Sequence, residues 1–106
     1  MSIQRLGVIV DDVFRERTLT HTTASVGTTS VVALAANDDR LYAKFVNDSD
    51  TIVYLNIGGT AVANKGVRLN ANGGEFEMYV GKNLGRGTVS AISSAASKNL
   101  LVLEGE

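Results

Sequence analysis

Apolar and polar residues alternate with period two through most of this chain. The clearest stretch is residues 41–57, LYAKFVNDSDTIVYLNI. Leu41, Ala43 and Phe45 alternate with Tyr42, Lys44 and Val46, and Val53, Leu55 and Ile57 alternate with Ile52, Tyr54 and Asn56. Between the two runs sit Asn47, Asp48, Ser49 and Asp50, short side chains that hydrogen-bond nearby backbone and tolerate turn geometry. Alternation on both sides of a polar turn predicts a β-hairpin here.

The same reading extends along the chain. Residues 28–34 (TTSVVAL) form a predicted strand, and residues 35–40 (AANDDR) a turn into the hairpin. Gly58 and Gly59 end the hairpin, residues 60–66 form a loop, and residues 67–69 a brief strand. Residues 71–74 (ANGG) carry Asn-Gly, the favoured pair where φ must be positive. In residues 75–80, Phe76, Met78 and Val80 face one way and Glu75, Glu77 and Tyr79 the other. A flexible loop, GKNLGRG, precedes two final strands at residues 88–93 and 100–104. No stretch keeps helical spacing over three turns. The prediction is an all-β protein: an antiparallel β-sandwich or small barrel of seven to eight short strands. Its expected core is Leu34, Leu41, Phe45, Val53, Leu55, Leu69, Phe76, Met78, Val89, Leu101 and Leu103.

Residues 1–24 differ from the rest. They include a short apolar run at 7–10, a charged cluster of Asp11, Asp12, Arg15, Glu16 and Arg17 around Val13 and Phe14, and the extended RTLTHTT. Too few regularly spaced apolar residues are present for this segment to fold alone. The division expected is an N-terminal arm over residues 1–24 and a β-sandwich domain over residues 25–106. The arm packs along its own domain or reaches a neighbour, where it can add a strand to another sheet. In the second case Val8, Ile9, Val13, Phe14, Arg15 and Arg17 are the interface residues: the apolar ones anchor and the mixed charges fix register.

Composition narrows the chemistry. One domain of 106 residues with 44% hydrophobic content can bury a usable core. A net charge of −1 and the lack of a basic groove with aromatics argue against nucleic acid and anionic lipid as partners. No apolar run approaches the ~20 residues of a helical membrane span, and residues 7–10 are too short for a signal peptide. Without cysteine there is no disulfide, thiolate nucleophile or Cys-based zinc site. His21 is the single histidine, in an extended Thr-rich run with no partner that spacing singles out, so it reads as a strand residue. Asp48 and Asp50, with Asn47 and Ser49 and the neighbouring Asp38 and Asp39, lack the ordered ligand positions of a calcium loop and read as turn chemistry. Lys82 and Arg86 sit among glycines that lack phosphate-loop spacing. Glu75 and Glu77 share one strand face, unlike a glycosidase pair, which flanks its substrate. The reading is therefore a non-enzyme with no cofactor and no metal.

Beyond these physical readings, residues 24–104 resemble a group of small tailed-bacteriophage structural proteins. The resemblance is carried by VALAAN at 32–37 followed by Arg40, by VNDSDTIVYLNIGG at 46–59 and by AVANKGVRLNANGG at 61–74. It continues in VSAI at 89–92 and in Leu101-Val102. It implies a non-enzymatic β-sandwich built into the virion. The expectation drawn from it is a capsid decoration, or cement, protein on the exterior of the head, assembled in the bacterial host cytoplasm. Its partners would be the major capsid protein and copies of itself as a homo-oligomer, a trimer being the expected form. The alternatives are a tail, neck or head-fibre accessory subunit and, from another class, a carbohydrate-binding module that contacts the host surface through Tyr42, Tyr54 and Tyr79.

Overall fold

The structure, a computed structural model, describes residues 18–106. Eight strands follow in order: β1 Leu19–Val26, β2 Val31–Leu34, β3 Tyr42–Asn47, β4 Val53–Ile57, β5 Val67–Leu69, β6 Glu75–Tyr79, β7 Val89–Ser93 and β8 Lys98–Gly105. They form two antiparallel four-stranded sheets. Sheet A has the order β1-β8-β3-β6 and sheet B the order β2-β7-β4-β5. The fold is a jelly roll. The expected all-β sandwich is what forms. Residues 19–24, read as part of the arm, belong to β1 and pair with β8 from Leu19↔Gly105 onward.

The strands at residues 41–57 do not form a hairpin. β3 pairs with β6 and β8, whereas β4 pairs with β5 and β7. The chain between them arches from one sheet to the other. In a hairpin the apolar faces of two strands point the same way; in an arch they point at each other. Phe45 and Val53 do the latter, both fully buried between the layers. Period-two alternation is identical in the two cases, so the pattern locates the strands but not their partners. Only β4 and β5 are consecutive strands paired in one sheet; the other connections cross the sandwich.

The core holds Val26, Ala43, Phe45, Val53, Leu55 and Leu69, with Met78, Val89, Ala91, Leu100 and Val102. Leu34 and Phe76 are half-buried against it, and Leu41 is half-buried at the entry to β3. The expected Leu101 and Leu103 are displaced: Leu100 and Val102 face inward, and Leu101 and Leu103 lie half-buried on the outer face of sheet A. The run LLVL is apolar at both parities, so nothing in it selected a face.

Among the described residues two polar side chains are fully buried, one at each end of β3. Arg40 donates from Nε to Glu104 Oε2 at 2.8 Å. Its Nη1 donates to the carbonyls of Gly85 (2.7 Å) and Gly87 (3.0 Å), and its Nη2 to that of Ala35 (2.6 Å). One guanidinium thus ties the β2–β3 connection, the β6–β7 loop and β8. Asn47 works at the opposite end. Its Nδ2 donates to the carbonyls of Thr51, Leu69 and Asn70 at 2.8–3.1 Å, and its Oδ1 accepts from Ser49 Oγ at 2.6 Å. The β3–β4 and β5–β6 arches are locked together there, with Gly73 N donating to Asn47 O and Asn72 N to Ser49 O. Asn72 and Gly73 both have positive φ, 60° and 107°, as the Asn-Gly pair predicts.

Removing either plug leaves buried acceptors unpaired. Asn47→Ala is expected to cost about 2–3 kcal/mol through its stranded carbonyls. Arg40→Met is expected to cost about 3–5 kcal/mol, since it also strips Glu104 of its counter-charge. Urea unfolding of the purified variants checks both: the midpoint falls while the slope stays that of the wild type.

Candidate interaction surface

The two outer faces of the sandwich are finished differently. On sheet B the nine-residue connection between β4 and β5, residues 58–66, folds back over its own sheet. Tyr54 and Asn56 point outward from β4. The Tyr54 hydroxyl donates to Asn64 Oδ1 at 2.8 Å, and Asn56 Nδ2 donates to Thr60 O at 2.8 Å. Beyond them Ala61 is buried, its N–H donating to Ser30 Oγ at 2.9 Å. Ser90, outward on β7 in register between Val32 and Asn56, is buried too. The loop leaves Val32 and Val62 exposed. Gly66 permits its return: φ is 84°, and a Cβ there would lie 2.2 Å from the Leu55 carbonyl oxygen.

No described loop covers sheet A in this way. Alternation places His21 and Thr23 of β1, Leu101 and Leu103 of β8, Lys44 and Val46 of β3, and Glu75 and Glu77 of β6 on its outer face. The β6 half is polar and internally paired. Lys44 Nζ lies 3.5 Å from Glu75 Oε1, the Tyr42 hydroxyl donates to Glu77, and the Lys82 ammonium stands 5.2 Å from the centre of the Tyr79 ring. Towards β1 the β8 positions are apolar: Leu101 and Leu103 form the floor of an open groove of about 260 Å³, bordered by the polar His21, Thr22 and Thr23. In register His21 lies opposite Leu103 and Thr23 opposite Leu101.

The residues singled out by sequence fall as follows. Val8, Ile9, Val13, Phe14, Arg15 and Arg17 lie outside the described residues. His21 is exposed on the edge strand β1. Asp50 is exposed and bound to Lys98, Nζ to Oδ1 at 2.7 Å, while Asn47 and Ser49 are spent on the arch. Among the described residues no group of three or more His, Asp or Glu is placed to hold a metal ion. The glycine-rich loop is tied in rather than loose: Gly85 and Gly87 accept from Arg40, and Arg86 Nε donates to Arg40 O at 3.0 Å. Tyr42 and Tyr79 pair on sheet A and Tyr54 lies on sheet B, so the three tyrosines share no platform. What sequence reasoning missed is the groove. Its floor was assigned to the core, and only the strand order shows that β1 is an edge.

No family model matches the chain. No curated protein matches it. Among solved structures it is similar to a chain from Bacillus endospore appendages, described as a novel family of disulfide-linked pili. The likeness has 14% identity, covers 83% of this chain and 84% of that chain, and gives a TM-score of 0.50. At that identity the likeness concerns the fold: a β-sandwich.

Two expectations follow. Gly66→Ala should detach the β4–β5 loop while both sheets persist, seen as faster amide exchange across residues 60–66 with the β3 and β8 amides still protected. The Lys98 ammonium, hydrogen-bonded to Asp50, holds that carboxyl below its ordinary 3.8, with the Thr51 hydroxyl adding to the effect. A depressed carboxylate favours folding above its ordinary value and loses that contribution as pH falls below 3.8. The side chain is fully exposed, so salt screens the pair. Asp50→Asn should therefore leave the neutral-pH melting temperature within error of wild type, as calorimetry would show.

Proposed function

We propose that this chain is a bacteriophage virion structural protein that decorates the outside of the head and holds neighbouring major capsid proteins together. The observation that carries the reading is the contrast between a saturated interior and an open outer face. The buried charge and the buried amide are consumed by structural hydrogen bonds. What the described surface offers is a groove floored by leucines on sheet A. The resemblance of residues 24–104 to phage structural proteins supplies the setting. A likeness of fold to a chain from pili is consistent with a repeated building block. With no cysteine, this chain would hold its neighbours by non-covalent contact alone.

In mechanism the protein binds and does nothing else. The rigid sandwich presents its face, and Val8, Ile9, Val13, Phe14, Arg15 and Arg17 of the leading segment serve as the anchor. A contact of about 1,200–2,000 Å² would be of standard size, and repetition over the shell multiplies its effect. The direct test is an averaged reconstruction of particles that carry the chain. Density that follows the capsid lattice is the expected result. A ring of three-, six- or twelvefold symmetry at the tail, or absence from the particle, overturns it. In the full-length protein Val13→Asp with Phe14→Asp should abolish co-sedimentation with heads; normal occupancy would refute the role of the anchor.

A further inference from the structure

We propose that β1 is a pairing edge for a second copy of this chain, joining two sheets A into one continuous eight-stranded sheet about a twofold axis. Among the described strands four are edges: β1 and β6 of sheet A, β2 and β5 of sheet B. Three of them are ill suited to pairing with themselves. β6 carries the exposed Glu75 and Glu77, which would face like charges. β5 has three residues with Arg68 at its centre. β2 has four and is broken by a bulge between Val32 and Leu34.

β1 is the exception. It runs for eight residues, LTHTTASV, with no charge and no proline. It pairs with β8 at every position without a bulge. Among the described residues, none of its backbone groups bonds beyond that ladder. An edge strand presents a row of unpaired backbone N–H and C=O groups to any further strand, and charge, proline, a bulge or short length is how proteins normally blunt it. Here all three safeguards are absent from one edge and at least one guards each of β2, β5 and β6, or the strand is short.

The alternation of faces restricts the register. Residues opposite one another must point to the same side, so the axis lies at a residue and not between two, and the longest overlap of Leu19–Val26 with itself puts it at Thr22 or Thr23. On Thr22 it sets His21 against Thr23, Thr20 against Ala24 and Leu19 against Ser25, with no like charges opposed. An axis normal to the sheet keeps both outer faces on one side. The grooves over Leu101 and Leu103 of the two copies then open on the same face, one on either side of a seam lined by His21 and Thr23. The occupant is a twofold mate, in place of the trimer expected from sequence.

The test is made in solution with the full-length chain and no particle, so its outcome is separate from that of the virion role. Sedimentation equilibrium should give the mass of a dimer. His21→Lys with Thr23→Lys, and His21→Glu with Thr23→Glu, alter exposed positions; each variant alone should sediment at half that mass, and an equimolar mixture of the two should return to the dimer. A wild type of any other mass, a charged variant that stays dimeric, or a mixture that stays monomeric overturns the proposal. Amide exchange in the wild type gives an independent readout. The β1 amides that point away from β8 should be as protected as those that point towards it; exchange at the rate of a free edge overturns the pairing.

Discussion

The Arg40 guanidinium is the contact on which one end of the sandwich depends. A buried cation is costly unless every donor is used and a counter-charge is near. Here Glu104 supplies the charge and three carbonyls from two connections take other donors. The carbonyls of Ala35, Gly85 and Gly87, on partly buried contacts, are drawn together by the guanidinium. The cation thus organises irregular backbone that cannot pair with itself, and β2, β3, β6, β7 and β8 are set in position by the connections it holds. Arg86 closes the arrangement by donating back to the Arg40 carbonyl.

Asn47 does the same at the other end of β3 with an amide in place of a charge. Both residues lie inside the sequence blocks on which the proposed phage role rests, as do Ser49 and the Asn70 to Gly74 turn. In physical terms those blocks are instructions for arches. The groove on sheet A draws on residues outside them, His21 and Thr23, and on the brief Leu101-Val102 match.

Much of the architecture was readable because a half-buried strand must alternate. Strand positions for β3 to β7 and the inward faces of β3, β4 and β6 follow from that rule. Three things did not follow. Hairpin and arch share one pattern, so the partner of β3 was hidden. The LLVL run of β8 is apolar on both sides, so its leucines were placed inside when they floor the groove. Arg40, in the polar run AANDDR, looked like a solvated turn residue because nothing local announces a distant Glu104. The edge status of β1 is a property of strand order, which no window of sequence contains.

The pairing of β1 with β8 joins the first described strand to the last, from Leu19↔Gly105 onward. β1 therefore waits without its sheet neighbour while the six strands between them are made. Contacts this remote in sequence make for slow folding, because a long loop must close before they form. While β1 is unpartnered, the β8 of another chain can take the same register, so concentration during folding sets the balance between self-closure and exchange of β1 between neighbours.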